Sequence, residues 1–259
     1  MIVTQPSTAN SGHHPIDGFL DAFADRCEEF KQVCADYLQG KVELDQITRA
    51  MSEATADAEL KFSEFSFQMS MEQLQRFGML QKILDSMMVE IFEADIINNR
   101  QTCARAIENG EYFLVGLTFR SIESAIYMRH SKDRIKLDQE RRLSSLQQEQ
   151  QSTEAMLKVI KALQQALEGS LDATALGRIE KAVGLYVSYF QPLERSELLS
   201  ACDRRVLSLI KQHFESLRAL PGDHRPHLNA CCQPLRSLPQ PDALEPLLSE
   251  CRTLAASSS

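Results

Sequence analysis

The chain has 259 residues, 43% of them hydrophobic and 25% charged, which is ample material for a packed core and rules out global disorder. Only 10 glycines and no tryptophan occur, so the composition leans away from turn-rich β folds and towards helix. A formal charge of −8 weighs against broad contact with nucleic acid or anionic membranes, both of which need clustered Lys and Arg.

Residues 1–14 are polar and carry Ser, Thr, Asn, Gln, Pro and two His, and they are expected to form a disordered tail. They show neither a basic n-region nor an apolar h-region, so a signal peptide is not expected. The tail is similar to the polar, uncharged leaders of type III secreted proteins. That resemblance implies export by a signal-peptide-independent route, an alternative to the cytoplasmic setting expected by default. The seven cysteines, Cys27, Cys34, Cys103, Cys202, Cys231, Cys232 and Cys251, are odd in number and lie mostly within helical patterns, which fits a reducing compartment. No stretch approaches 18 apolar residues, so no transmembrane helix is expected.

The first helix is expected over 15–39. Ile16, Phe19, Leu20, Phe23, Cys27, Phe30, Val33, Cys34, Tyr37 and Leu38 recur in steps of three and four and define one face. Pro15 suits the first turn and Gly40 the stop. Cys27 and Cys34 lie on that stripe about 10 Å apart along the axis, too far for a disulfide, and read as small core residues.

A helical region follows over 44–109. Leu44, Ile47, Met51, Ala54 and Ala58 set a rhythm that Phe77, Leu80, Leu84, Met87 and Ile91 resume. Between them, Phe65, Phe67, Met69 and Met71 alternate as in a strand, but the flanking periodicity favours helix. "IINNRQ" at 96–101 is the expected place for a kink or short loop, leaving open whether 44–109 is one helix or two. Gly110 is the expected cap.

One long helix is expected over 111–168, ended by Gly169. Phe113, Leu114, Leu117, Ile122, Ala125 and Ile126 give its first part an apolar face. A heptad then runs through Leu143, Leu146, Gln150, Thr153, Leu157, Ile160, Gln164 and Leu167. Its polar positions suggest a partly buried, coiled-coil-like arm around 129–155, with Leu143, Leu146, Leu157, Ile160 and Leu167 as the interaction seam. Residues 129–142 hold six basic side chains against three acidic ones, and the interspersed acids argue against close phosphate contact.

A helix with Asp172 as its expected N-cap, and Ser170 as the other candidate, carries Leu176, Ile179, Val183, Tyr186, Val187 and Phe190 on its face and is broken or kinked at Pro192. Another, over 193–219, shows Leu198, Leu199, Cys202, Val206, Leu209, Ile210, Phe214 and Leu217. From Pro221 prolines crowd the chain, and 221–259 is expected to be a Pro-rich loop with a short last helix near 242–255.

That loop contains "PGDHRPHLNACC", the densest chemistry in the chain, with His224, His227, Cys231 and Cys232 within nine positions. Tetrahedral zinc normally takes two ligand pairs separated by a longer loop. Here only three residues separate the pairs and the two cysteines are adjacent, so the expectation is a loop with a cysteine packed inward, not a metal site. No Gly-rich phosphate loop, G-x-S-x-G elbow or H-E-x-x-H motif occurs. No catalytic residue and no cofactor is therefore assigned.

The expected fold is all-α, an elongated helical bundle with a long helix or hairpin arm. The expected role is that of a non-catalytic adaptor, scaffold or regulator, with a protein partner or self-association. A non-classically secreted effector, translocator or pore-forming protein is the alternative, and an enzyme with a site inside the bundle is a third class.

Overall fold

The computed structural model describes residues 15–133, 135–169, 172–218, 220, 222–238, 245–246 and 249. They form eight helices and no strand: α1 (Pro15–Leu38), α2 (Leu44–Phe65), α3 (Met71–Asn109), α4 (Tyr112–Asp133), α5 (Lys136–Glu168), α6 (Ala173–Phe190), α7 (Glu197–Arg218) and α8 (Arg225–Leu235). No helix among the described residues is long and apolar enough to cross a membrane. The expected N-terminal tail, and all but three residues of the expected 242–255 helix, lie outside the described residues.

The chain divides into two units. The first comprises residues up to 94 together with 128–135, and the second comprises 95–127 and everything from 136 onwards. In the first unit the apolar stripe of α1 meets α2 and the first half of α3. Phe19, Phe23, Phe62 and Phe77 interlock, with the rings of Phe62 and Phe77 stacked at 4.2 Å. Cys27 and Cys34 are buried there as free thiols, as the stripe requires. Polar pairs border this core: Arg26 with Asp57 at 2.8 Å, and Arg76 with Asp21 at 2.7 Å. α1 ends where Gly40 takes φ +71°, letting Lys41 N–H reach Asp36 O at 2.9 Å.

The break in 44–109 falls at 66–70, not at 96–101. Ser70 explains it. Its hydroxyl accepts from Gln73 N–H at 3.2 Å, and the Gln73 side chain accepts from Ser70 N–H at 2.9 Å, a capping box that starts α3. The two Asn at 98–99 do not interrupt α3. Asn99 satisfies its own amide on Asp95 O and Oδ1, one turn back, and so stays within the helix.

In the second unit, the later part of α3 and most of α4 build a core with α5, α6, α7 and α8. α5 packs on α6 and α7, and α6 packs on α8. Gly110 closes α3 at φ +80°, and its missing side chain leaves room for the Arg205 guanidinium: a Cβ there would lie 2.7 Å from Nη2. Arg205 in turn donates to Glu108 O at 3.2 Å, satisfying a terminal carbonyl of α3. Asp172 caps α6, accepting from Ala175 N–H at 2.7 Å, and Ser196 starts α7 by accepting from Leu199 N–H at 3.3 Å.

The single helix expected over 111–168 is two helices, α4 and α5. Among the described residues from Ser131 to Ser145 none is buried. Helices owe most of their stability to a packed face, and this stretch has none to hold it continuous. The expected loop after Pro221 contains a helix, α8. Pro226 falls in its first turn, where a backbone N–H would be unpaired anyway, and Pro234 sits next to its last residue.

Candidate functional site

α7 shows how a polar side chain enters the core of the second unit. Val206, Leu209, Ile210, Phe214 and Leu217 recur with helical period, and His213 occupies a position on the same stripe. It is 3% exposed. α8 buries His227, Leu228, Cys231, Cys232 and Leu235, so His227 and Cys231 stand one turn apart on one face.

These two helices bring His213 Nε2 to 2.8 Å from His227 Nε2, with the rings nearly perpendicular. On the far side of the His227 ring, Nδ1 lies 2.7 Å from Glu180 Oε1 of α6. A carboxylate only accepts, so His227 donates from Nδ1 and its Nε2 is left to accept the proton of His213 Nε2. Cys231 Sγ is 3.8 Å from the same His227 nitrogen. Burial first, then the charges of His227 and His224, hold the His213 imidazole down at about 4, well below its usual 6.5. Burial also pushes the Cys231 thiol up to about 12, helped by the charges of Glu180 and Cys232.

The group therefore looks like a nucleophile, base and carboxylate in a row, but its chemistry is otherwise. Cys231 is fully buried and stays a thiol at neutral pH, and His227 Nε2 is already engaged by His213. What the arrangement does is hold three helices together through two hydrogen bonds, one from His213 to His227 and one from His227 to Glu180. Among the described residues no three His, Cys, Asp or Glu side chains converge as metal ligands. The stretch is not the loop expected from its prolines. Both Cys231 and Cys232 are buried, whereas His224 is half-buried at the N-cap of α8. Sequence inspection missed His213 and Glu180, which lie 14 and 47 residues from His227. His213 was visible in one respect, as a histidine standing on the apolar stripe of α7.

A second polar group is buried nearby in sequence. Arg195 and Asp203, 8% and 1% exposed, pair at 2.7 Å, and Tyr186 O–H donates to the other Asp203 oxygen at 2.7 Å. Arg195 also donates to the carbonyls of Phe190 and Leu193 at the end of α6. Burial, then the Asp203 charge, raises the Tyr186 hydroxyl far above its ordinary range, so it remains a donor. This is a clasp between α6 and α7.

The heptad residues lie within the chain's own core. Leu146, Leu157 and Ile160 are buried, and Leu143 and Leu167 are half-buried against the same cluster. The basic segment is interlaced with acids: Arg129 meets Glu93 at 2.8 Å, Lys132 meets Asp85 at 3.3 Å, and Arg142 meets Asp138 at 3.2 Å.

The outward surface of α4 has a different character. Val115, Phe119, Ile122 and Ile126 point into the core. On the opposite stripe Phe113 is 74% exposed, Leu117 53% and Tyr127 50%. Steps of four and ten residues keep these three within about 80° of one another around the axis. α4 thus carries large apolar side chains on its outward stripe as well as on its core side.

No protein-family model, no curated protein and no solved structure matches the chain.

Proposed function

We propose that this is a non-catalytic helical interaction protein, an adaptor, scaffold or regulator, that docks a protein partner on the outer face of α4. The observation that carries this reading is the stripe Phe113, Leu117 and Tyr127, exposed on a helix whose other side is already core. Burying a side chain as large as Phe or Leu stabilises an association by about 1.5–3 kcal/mol. Aromatic anchors of this kind commonly dominate binding energy. Arg120 within the stripe and Glu123 at its edge, both exposed, supply the charged element that sets register. The heptad is not the proposed contact, because its leucines are occupied inside the bundle.

Photo-cross-linking tests this directly. A benzophenone amino acid placed at 113 or 117 in the full chain, produced in its native cells, should yield a discrete protein adduct. The exposed position Gln101 on α3 should yield none. Adducts at 101 equal to those at 113, or none at 113, would remove the assignment. Adducts to lipid, with co-sedimentation on liposomes, would favour the membrane-active alternative.

A further inference from the structure

The histidine pair joins α7 to α8 through one proton, and that joint has a built-in limit. We propose that α8 is an acid-released latch: a second positive charge on the His213–His227 pair breaks the joint and frees α8 from the second unit.

Proton placement gives the mechanism. With both rings neutral, His213 Nε2–H donates to His227 Nε2 across 2.8 Å, and His227 Nδ1–H donates to Glu180. One added proton still leaves a hydrogen bond between the two rings. His227 becomes an imidazolium beside the Glu180 carboxylate, and His213 shifts its own proton to Nδ1 and accepts instead. A further proton leaves an N–H on each of the two facing nitrogens. Two cations then face one another at hydrogen-bond distance, with both residues buried and one carboxylate to offset them.

The groups facing the pair come from α6 and α8. Glu180 of α6 accepts from His227 Nδ1. His224, at the start of α8, adds to the repulsion on His213, and Cys231 remains neutral. The buried Nε2 of His224 has no hydrogen-bond partner among the described residues, so it does not relieve that charge.

The direction with pH follows. His213 is held at about 4 in the docked state and returns towards 6.5 when α8 leaves. Docking is complete above about 6.5, weakens as pH falls, and levels off below about 4. Across that window the docking constant falls by up to about 300-fold, a factor of ten for each pH unit of the shift.

Hydrogen exchange of the full chain between pH 7.5 and 4, corrected for intrinsic exchange rates, reads this. Amides of α8 should lose protection by tens of fold or more while those of α1, in the other unit, keep theirs. His213→Gln keeps a group that donates or accepts opposite His227 but cannot titrate, and should make α8 protection nearly flat over the window. Glu180→Gln removes the offsetting carboxylate and should move release to higher pH. Equal α8 protection at both ends of the range would overturn the latch. So would an unchanged pH response in His213→Gln, or loss of protection in α1 and α8 together. Glu180→Gln serves if His213→Gln does not fold, because release at the same pH as wild type would also contradict the proposal.

Discussion

Replacing Arg195 with Leu probes the buried clasp of the second unit most severely. The change removes the 2.7 Å pair with Asp203 and leaves that carboxylate 1% exposed with only the Tyr186 hydroxyl as a donor. It also strips donors from the carbonyls of Phe190 and Leu193, where α6 ends. Removing one partner of a buried ion pair costs about 3–5 kcal/mol, because the remaining charge stays in a poorly solvated place. At about 2–4 °C per kcal/mol for a domain of this size, the melting temperature should fall by about 10 °C. Circular dichroism melts of the full chain at pH 7 supply the measurement. The double variant Arg195→Leu with Asp203→Leu removes both charges and should recover part of the loss. A fall of less than about 2 °C for Arg195→Leu would refute the view that this pair holds α6 to α7.

Other substitutions test separate links. Ile160→Ala should cost about 2–5 kcal/mol in urea unfolding, because its side chain is wholly enclosed in the core. The same variant should leave the oligomeric state unchanged by light scattering, since the residue faces inward. Gly110→Ala places a Cβ at φ +80° and 2.7 Å from Arg205, so it should destabilise by more than about 1 kcal/mol in the same assay. Ser70→Ala removes one arm of the capping box that opens α3 and should cost about 1 kcal/mol.

Periodicity made most helices legible. The α1 stripe from Ile16 to Cys34 and the α7 stripe from Leu198 to Leu217 are both buried as their spacing requires. Helix ends were less legible, because they depend on short side-chain contacts. Ser70 with Gln73 was a readable capping signature, overshadowed by the alternating Phe and Met before it. The stretch after His130 looked helical throughout by propensity, yet without a buried face it divides. Prolines disguised α8, since a proline in the first turn costs a helix little. The histidine pair could not be read from spacing at all. Glu180, His213 and His227 meet only because α6, α7 and α8 pack together, although His213 had already been placed on an apolar stripe by its own helix.

Affinity for the partner that cross-links at 113 tests the central claim most directly, whether that partner is another protein or a second copy of this chain. Isothermal titration or sedimentation would compare the wild-type chain with Phe113→Glu. An exposed anchor contributes to binding and little to folding, so the variant should keep its melting temperature and bind at least about tenfold more weakly. Equal affinity, or weaker binding explained by a loss of stability, would contradict the account.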